Sequence, residues 1–200
     1  MLSRRAAAWA KLPQWHGPQN VYDAVNNPDG IASFDKYCCT YGEGFTGTAR
    51  LRHAMADYLN SHFKPVQQID AEEITFAAGV TVLNEICALV TCNPDANESI
   101  LLGMPSYGSF RTDLAMRTGV GLEFADVGNF SQFDLSCVSG YEAAYEDAKR
   151  RGIHIKALVI CNPHNPLGRC YPRETLEGLL RFCASKGIHL ISDEIYATSV

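Results

Sequence analysis

Short apolar runs alternate with helical patterns from residue 73 to the end of the chain. The runs cover residues 73–77 (EITFA), 99–102 (SILL), 121–127, 156–161 (KALVIC) and 188–192 (IHLIS). Strands that alternate with helices form a mostly parallel sheet with helices on both faces. We therefore predict an α/β fold with three layers, α/β/α.

The helices between these strands are predicted from apolar spacing. A helix over 48–64 is indicated by apolar residues that recur every four positions, namely Leu51, Met55, Leu59 and Phe63. Two further helical runs cover 80–90 and 109–118. Residues 1–47 show turn signals in place of periodicity, so we separate them from 48–200.

Two later helices are predicted from their start signals. Ser139 and Glu142 have the S-x-x-E spacing of a capping box, which would open a helix that runs to about 151. Pro172 fits the first turn of the next helix. The predicted inner face of that helix consists of Leu176, Leu179, Leu180 and Cys183.

Charge and composition exclude several classes of partner. The net charge of -5 gives no electrostatic basis for binding nucleic acid, and no apolar run is long enough to span a membrane. The eight cysteines include no C-x-x-C pair. We therefore predict reduced thiols in a cytoplasmic protein and no metal site.

The stretch GEGFTG at 42–47 matches the G-x-G-x-x-G pattern of dinucleotide-binding proteins. That fingerprint follows a first strand, and an acidic residue lies about 20 positions further on at the end of a second strand. Asp57 lies near that distance, but inside the predicted helix over 48–64. A nucleotide-binding domain therefore remains only a weak alternative.

Four predicted strands are each followed by residues that suit ligand binding. They bring Gly79 and Thr81 at a helix start, Tyr107, Asn165 and Asp193. Ligands of open α/β sheets bind beyond the carboxyl ends of the strands, so these residues should meet at one edge. Taken singly, each also has a structural explanation: a tight turn, a core aromatic, an Asn-Pro turn and a helix cap.

A single small molecule would use all four features together. A helix start binds phosphate, an aromatic side chain stacks on a flat ring, and a carboxylate pairs with a protonated ring nitrogen. Tyr196, three residues after Asp193, adds a phenolic donor. These properties match pyridoxal 5'-phosphate, in which an Asp partner for the pyridinium nitrogen makes the ring an electron sink.

Four phrases resemble one known family in order and spacing. They are AAGVTVLNE at 77–85, PSYGSF at 105–110, NPHNPLG at 162–168 and HLISDEIYATSV at 189–200. Over about 41–200 the chain resembles the fold type I, pyridoxal-phosphate-dependent class I/II aminotransferases. The resemblance is strongest to the 1-aminocyclopropane-1-carboxylate synthase-like branch.

The resemblance implies a role for each residue that matches a motif. Tyr107 would stack on the pyridine ring, and Asp193 would pair with its nitrogen. The expected phosphate contacts are Val80 and Thr81, and the expected partners of the ring 3'-oxygen are Asn165 and Tyr196. Tyr41 is the candidate for contacting the phosphate of the partner subunit.

The chain also departs from the family pattern. The Schiff-base lysine and the arginine for the substrate carboxylate would lie beyond residue 200, so no catalytic residue is assigned. A G-x-A-E-N-type segment is missing before Tyr41. We therefore expect an incomplete chain: residues 1–47 as an arm and a shortened small-domain segment, and 48–200 as the first part of the large cofactor-binding domain.

The function implied by the resemblance is a pyridoxal-phosphate-dependent transformation of an amino acid, with transamination favoured. A lyase of the aminocyclopropane-carboxylate synthase or carbon–sulfur type is the first alternative. A noncatalytic remnant without the Schiff-base lysine is the second. The family further implies an amino-acid substrate and a homodimer.

Overall fold

The computed structural model describes residues 44–127 and 131–199. These residues fall into two compact units, one that ends at Thr75 and one that begins at Phe76. Across the described ranges, every helix is too short or too polar to cross a bilayer.

The first unit contains the helix predicted for 48–64. Helix α1 covers Ala49–Phe63, and the Thr48 hydroxyl caps it by accepting a hydrogen bond from the Leu51 amide at 3.2 Å. Arg52 is buried, and its guanidinium donates to the carbonyl oxygens of Gly47 at 3.2 Å and Ala71 at 3.1 Å. Arg52 therefore fixes the start of α1 against the segment that follows it.

The strand predicted for 73–77 is wrong. Ala71–Glu73 is a short 3-10 helix, and residues 74–77 form no strand. The Asp70 carboxylate accepts from the Glu72 amide at 2.9 Å, while the Asp70 amide donates to the Glu73 carboxylate at 2.8 Å. This reciprocal capping satisfies the backbone locally, and within 44–127 and 131–199 no strand pairs with the apolar run that follows.

The second unit contains a sheet of four parallel strands in the order β2-β1-β3-β4. Strand β1 covers Glu98–Gly103, β2 covers Gly121–Ala125, β3 covers His154–Cys161 and β4 covers His189–Asp193. Each corresponds to a predicted strand, with bounds shifted by one or two residues.

One helix precedes β1, and helical segments connect the consecutive strands. Helix α2 covers Val80–Thr91, a π-helical segment covers Arg111–Met116, α3 covers Val138–Arg150 and α4 covers Arg173–Lys186. Two short 3-10 turns, Pro94–Ala96 and Leu135–Cys137, precede β1 and α3 respectively. A helix therefore lies between each pair of consecutive strands, as parallel pairing requires.

The apolar core lies on both faces of the sheet. Helices α3 and α4 pack on the face that carries Leu101, Leu158 and Ile160. Helix α2 and the π-helical segment pack on the opposite face, which carries Ile100 and Val159. The three-layer α/β/α prediction is therefore confirmed.

The predicted capping box at the start of α3 is wrong. The helix begins at Val138, directly after the 3-10 turn, and no side chain caps it. The Ser139 hydroxyl donates instead to the Ser136 carbonyl at 2.7 Å. Because the preceding turn already supplies helical backbone, the helix starts before Ser139 can act as its cap.

The inner face of α4 is rotated from the predicted one. Pro172 lies immediately before the helix, and Leu180 is 52% exposed. The buried residues are Thr175, Gly178, Leu179, Phe182 and Cys183. Gly178 lies on the buried face, where an added Cβ would lie 2.6 Å from a Leu135 methyl group, so the helix approaches Leu135 closely at this position.

Candidate functional site

A cavity lies at the carboxyl edge of the sheet in the second unit. It is lined by Val80, Thr81, Asn84, Tyr107, Asp113, Cys161, Asn165, Asp193, Ile195 and Tyr196. Six of the seven predicted site residues are therefore brought together, two from the start of α2 and four from the ends of three strands. The seventh, Tyr41, lies outside the described residues.

The start of α2 forms one side of the cavity. Gly79 precedes the helix with φ of +84°, and no side chain caps the helix. An added Cβ at Gly79 would meet nothing within 4 Å, so the backbone is open to a ligand there. The unpaired amides and the helix dipole favour an anion at this position.

Thr81 and Asp113 form a polar pair beside this helix start. The Thr81 hydroxyl donates to a carboxylate oxygen of Asp113 at 3.3 Å. Asp113 belongs to the π-helical segment, which packs alongside α2. The pair orients the Thr81 hydroxyl and also places a negative charge on the cavity wall.

Tyr107 lies on the loop that follows β1 and is 37% exposed. Its ring packs edge-to-face on Phe110, with ring centroids 5.4 Å apart and an interplanar angle of 87°. Phe110 is buried in the core. This contact holds the tyrosine ring while leaving one of its surfaces free to stack on a flat ligand.

Asn165 and Tyr196 are hydrogen-bonded to each other, with 3.2 Å between the Asn165 Nδ2 and the Tyr196 Oη. Asn165 lies on the loop after β3, where the Gly168 amide donates to the His164 carbonyl at 2.8 Å. Tyr196 follows the end of β4. The pair therefore joins two strand ends and presents an amide and a phenol to the cavity.

Asp193 is the last residue of β4 and is only 9% exposed. Its carbonyl accepts from the Asn162 amide at 2.9 Å, and its Oδ1 accepts from the Ile195 amide at 3.2 Å. A carboxylate has about four acceptor sites, so these bonds leave room for further donors. Asp193 is therefore a fixed, largely buried carboxylate that suits a cationic partner.

A buried polar network supports the two loops behind the cavity. The Gln132 side-chain amide donates to the Pro105 carbonyl at 2.9 Å and lies 3.0 Å from the His164 Nε2. The Gln132 Oε1 accepts from the Tyr171 hydroxyl at 3.2 Å. Gln132 thereby connects the loop that carries Tyr107 with the loop that carries Asn165.

Burial lowers the pKa of His164 below its ordinary value, which makes stability depend on pH. The unfolded chain then takes up a proton at a higher pH than the folded chain does. The contribution of His164 is therefore fully present above about pH 6.5 and is lost as the pH falls through the lower pKa of the folded state.

We expect the unfolding free energy of His164→Gln to fall less than that of the wild type as the pH is lowered from about 7 to about 5.5. Urea unfolding at each pH would measure it. The same substitution at His62, which is exposed on the outside of α1, is the matched control for the loss of a histidine. If the unfolding free energy changed with pH equally in the wild type and in His164→Gln, the pH dependence could not be assigned to His164.

Four residues that line the cavity were not predicted from the sequence, namely Asn84, Asp113, Cys161 and Ile195. Asn84 had a usable signal, because it lies four positions after Val80 and therefore on the same helix face. Cys161 ends β3 and is the register partner of Asp193. Asp113 and Ile195 lack such a signal because their positions depend on packing.

The residues present fit a flat ring that carries an anionic group at one end and a basic nitrogen at the other. An open helix start, an aromatic face, an amide–phenol pair and a buried carboxylate surround the cavity. The Asn84 Nδ2 is buried without a hydrogen-bond partner among the described residues, so the cavity also contains an unused donor. No lysine lines the cavity in the described ranges.

The fold and this cavity define an α/β protein with a polar cavity at the carboxyl edge of a parallel sheet. The family described as aminotransferase class I and II matches residues 38–200. The chain belongs to this family.

Three relatives illustrate the similarity. The chain is 38% identical to a probable aminotransferase, TcpI, of Claviceps purpurea over 80% of its length, and 32% identical to 1-aminocyclopropane-1-carboxylate synthase 1 of Prunus mume over 91%. It spans 36% of the length of each of these proteins. Tyrosine aminotransferase from Leishmania infantum superposes with a TM-score of 0.55 at 26% identity, over 76% of this chain and 40% of that one.

Proposed function

We propose that this chain forms the cofactor-binding part of an enzyme that transforms an amino acid with pyridoxal phosphate, the cofactor of this family. The observation that carries the proposal is the single cavity that joins the α2 start, Tyr107, the Asn165–Tyr196 pair and Asp193. Within this proposal, residues 48–200 belong to the large cofactor-binding domain. Transamination is the reaction we favour.

The start of α2 would bind the cofactor phosphate. The backbone amides of Val80 and Thr81 lie in its first turn, where the helix dipole favours an anion. The Thr81 hydroxyl, which now donates to Asp113, would turn to a phosphate oxygen. Because Asp113 is a carboxylate, the phosphate must compete with it for this hydroxyl, and the amides supply the greater part of the attraction.

The remaining residues would hold the ring. Tyr107 would stack on it, the Asn165 amide and the Tyr196 phenol would donate to its 3'-oxygen, and Asp193 would hold a proton on its nitrogen. When bound, pyridoxal phosphate supplies an electron sink for the substrate Cα. Asp193 keeps the ring nitrogen protonated and so maintains this property.

The names of the relatives support both transamination and elimination. TcpI is named a probable aminotransferase and is 38% identical, whereas the Prunus mume protein is named a synthase of 1-aminocyclopropane-1-carboxylate and is 32% identical. Transamination moves the amino group to a 2-oxo acid acceptor. Elimination at the β carbon releases it as ammonia, and ring closure with loss of a γ substituent keeps it in the cyclic product. Assaying the three nitrogen-containing products for a panel of amino acids separates the reactions.

We also propose a cytoplasmic homodimer. The cysteines in the described part of the chain are all unpaired, as is usual in a reducing compartment. The dimer is proposed from the family, in which active sites lie between two subunits, and Tyr41 is proposed to contact the phosphate bound by the partner.

Titration of the full chain with pyridoxal 5'-phosphate tests cofactor binding. We expect saturable binding, with Tyr107→Ala weakening it about two- to tenfold because a stacking contact of about 0.5–1.5 kcal/mol is lost. Tyr107→Phe is the matched control and should bind like the wild type, since it keeps the ring. Equal affinities for wild type and Tyr107→Ala would contradict the stacking role, and no saturable binding would contradict the proposed function.

A further inference from the structure

Asn84 is a buried polar residue that none of the roles above uses. Its side chain lies on the inner face of α2 and is 4% exposed, and it lines the cavity. Its Nδ2 has no hydrogen-bond partner among the described residues. An unmade hydrogen bond at a buried amide destabilises the fold, so a ligand-binding site is a physical reason for such a donor.

The position of Asn84 relative to the sheet identifies its partner. Helix α2 packs on the face of the sheet that carries Cys161 and Ile191. Asp193 lies two residues after Ile191 and is paired in register with Cys161, so its side chain projects toward the same face. Asn84 and Asp193 line one cavity from the helix and from the sheet.

The chemistry of Asp193 explains why a neutral donor is useful there. A largely buried carboxylate that pairs with a cation is stabilised only if its remaining lone pairs accept hydrogen bonds. The Ile195 amide satisfies part of this requirement at 3.2 Å. An asparagine amide can supply a further hydrogen bond without adding a charge that competes with the ring nitrogen.

We propose that Asn84 is a positioning residue for Asp193. In the loaded site the Asn84 Nδ2–H donates to the Asp193 carboxylate and orients it toward the ring nitrogen. This proposal rests on the proposed function, because it concerns the carboxylate assigned to the ring nitrogen.

The test uses the full chain and pyridoxamine 5'-phosphate, which has no aldehyde and therefore does not react with lysine side chains. The pH at which the bound ring nitrogen loses its proton is followed by ultraviolet absorption and by 15N NMR of labelled ligand. Asn84→Leu removes the donor at similar volume, and Asn84→Gln keeps an amide. The thermal midpoint of each ligand-free variant shows whether it folds.

We expect Asn84→Leu to lower the deprotonation pH of the bound ring by about one unit, because a carboxylate that is no longer held toward the ring nitrogen stabilises the protonated nitrogen less. Asn84→Gln should recover part of this shift. The ligand-free Asn84→Leu protein should melt at the same or a higher temperature than the wild type. In an Asp193→Asn background, Asn84→Leu should have no further effect on the ring nitrogen.

Two results would overturn the inference while the proposed function stands. An unchanged deprotonation pH in Asn84→Leu would show that Asn84 does not act on the carboxylate. A shift that persists in the Asp193→Asn background would show that it acts on the ligand directly. If the wild type does not bind pyridoxamine phosphate, the proposed function fails and this inference fails with it.

Discussion

Asp193→Asn is expected to weaken the binding of pyridoxal phosphate by at least about tenfold at neutral pH. A carboxylate next to a protonated nitrogen shifts the pKa of that nitrogen upward by about 1–3 units, and each unit corresponds to about 1.4 kcal/mol. The asparagine keeps the shape and can still accept from the Ile195 amide, which donates to Asp193 at 3.2 Å. The loss of affinity therefore measures the contribution of the negative charge of Asp193.

Isothermal titration calorimetry with the full chain measures this effect directly. Asp57→Asn is the matched control, because it makes the same chemical change at an exposed position on α1. The control should bind like the wild type. Equal weakening in both variants would attribute the effect to net charge, and equal affinity of Asp193→Asn and wild type would refute the role of Asp193.

Gly103→Ala is expected to destabilise the second unit by about 1–3 kcal/mol. Gly103 ends β1, and an added Cβ would overlap the Tyr141 hydroxyl and lie 2.7 Å from the Gln132 Oε1. Tyr141 is fully buried and Gln132 is 3% exposed, so neither has space to withdraw. Urea unfolding would measure the loss.

The same substitution should also weaken cofactor binding. Gln132 donates to the Pro105 carbonyl at 2.9 Å, so its displacement would release the loop that carries Tyr107. Gly108→Ala is the matched control, since a Cβ there meets nothing within 4 Å. It should change stability by no more than about 0.5 kcal/mol. Equal unfolding free energies of Gly103→Ala and Gly108→Ala would show that the structure accommodates a Cβ at position 103.

The edge that carries the cavity could be predicted because parallel strands end on the same side of a sheet. The polar residues after the apolar runs, such as Asn165 and Asp193, therefore had to lie close together once the alternation was recognised. This inference needed no knowledge of side-chain packing. The strand order, by contrast, depends on contacts between distant segments and had to be observed.

Local polar contacts and close approaches explain the elements that were wrong. At 73–77 the apolar pattern indicated a strand, but the Asp70–Glu73 capping contacts close a 3-10 turn at its start. In α4 the buried face includes Gly178, which lies against Leu135, while Leu180 is exposed. Neither the capping contacts nor the close contact at Gly178 can be predicted from periodicity alone.

Asn84 shows the limit of reading the site from sequence. An asparagine within an apolar helical run is usually a solvent-exposed position, and its spacing from Val80 carries only a weak signal. Its burial and its unpaired Nδ2 become visible only after α2 is packed on the sheet. The same is true of Asp113, which contacts Thr81 from a separate segment.

The central claim is that one cavity binds both the phosphate and the ring of the cofactor. The most direct test is to compare the dissociation constants of pyridoxamine 5'-phosphate, pyridoxamine and NAD for the full chain. We expect saturable, stoichiometric binding of the phosphorylated ligand, much weaker binding of pyridoxamine, and no binding of NAD. Equal binding of pyridoxamine with and without phosphate, or tighter binding of NAD, would contradict the account.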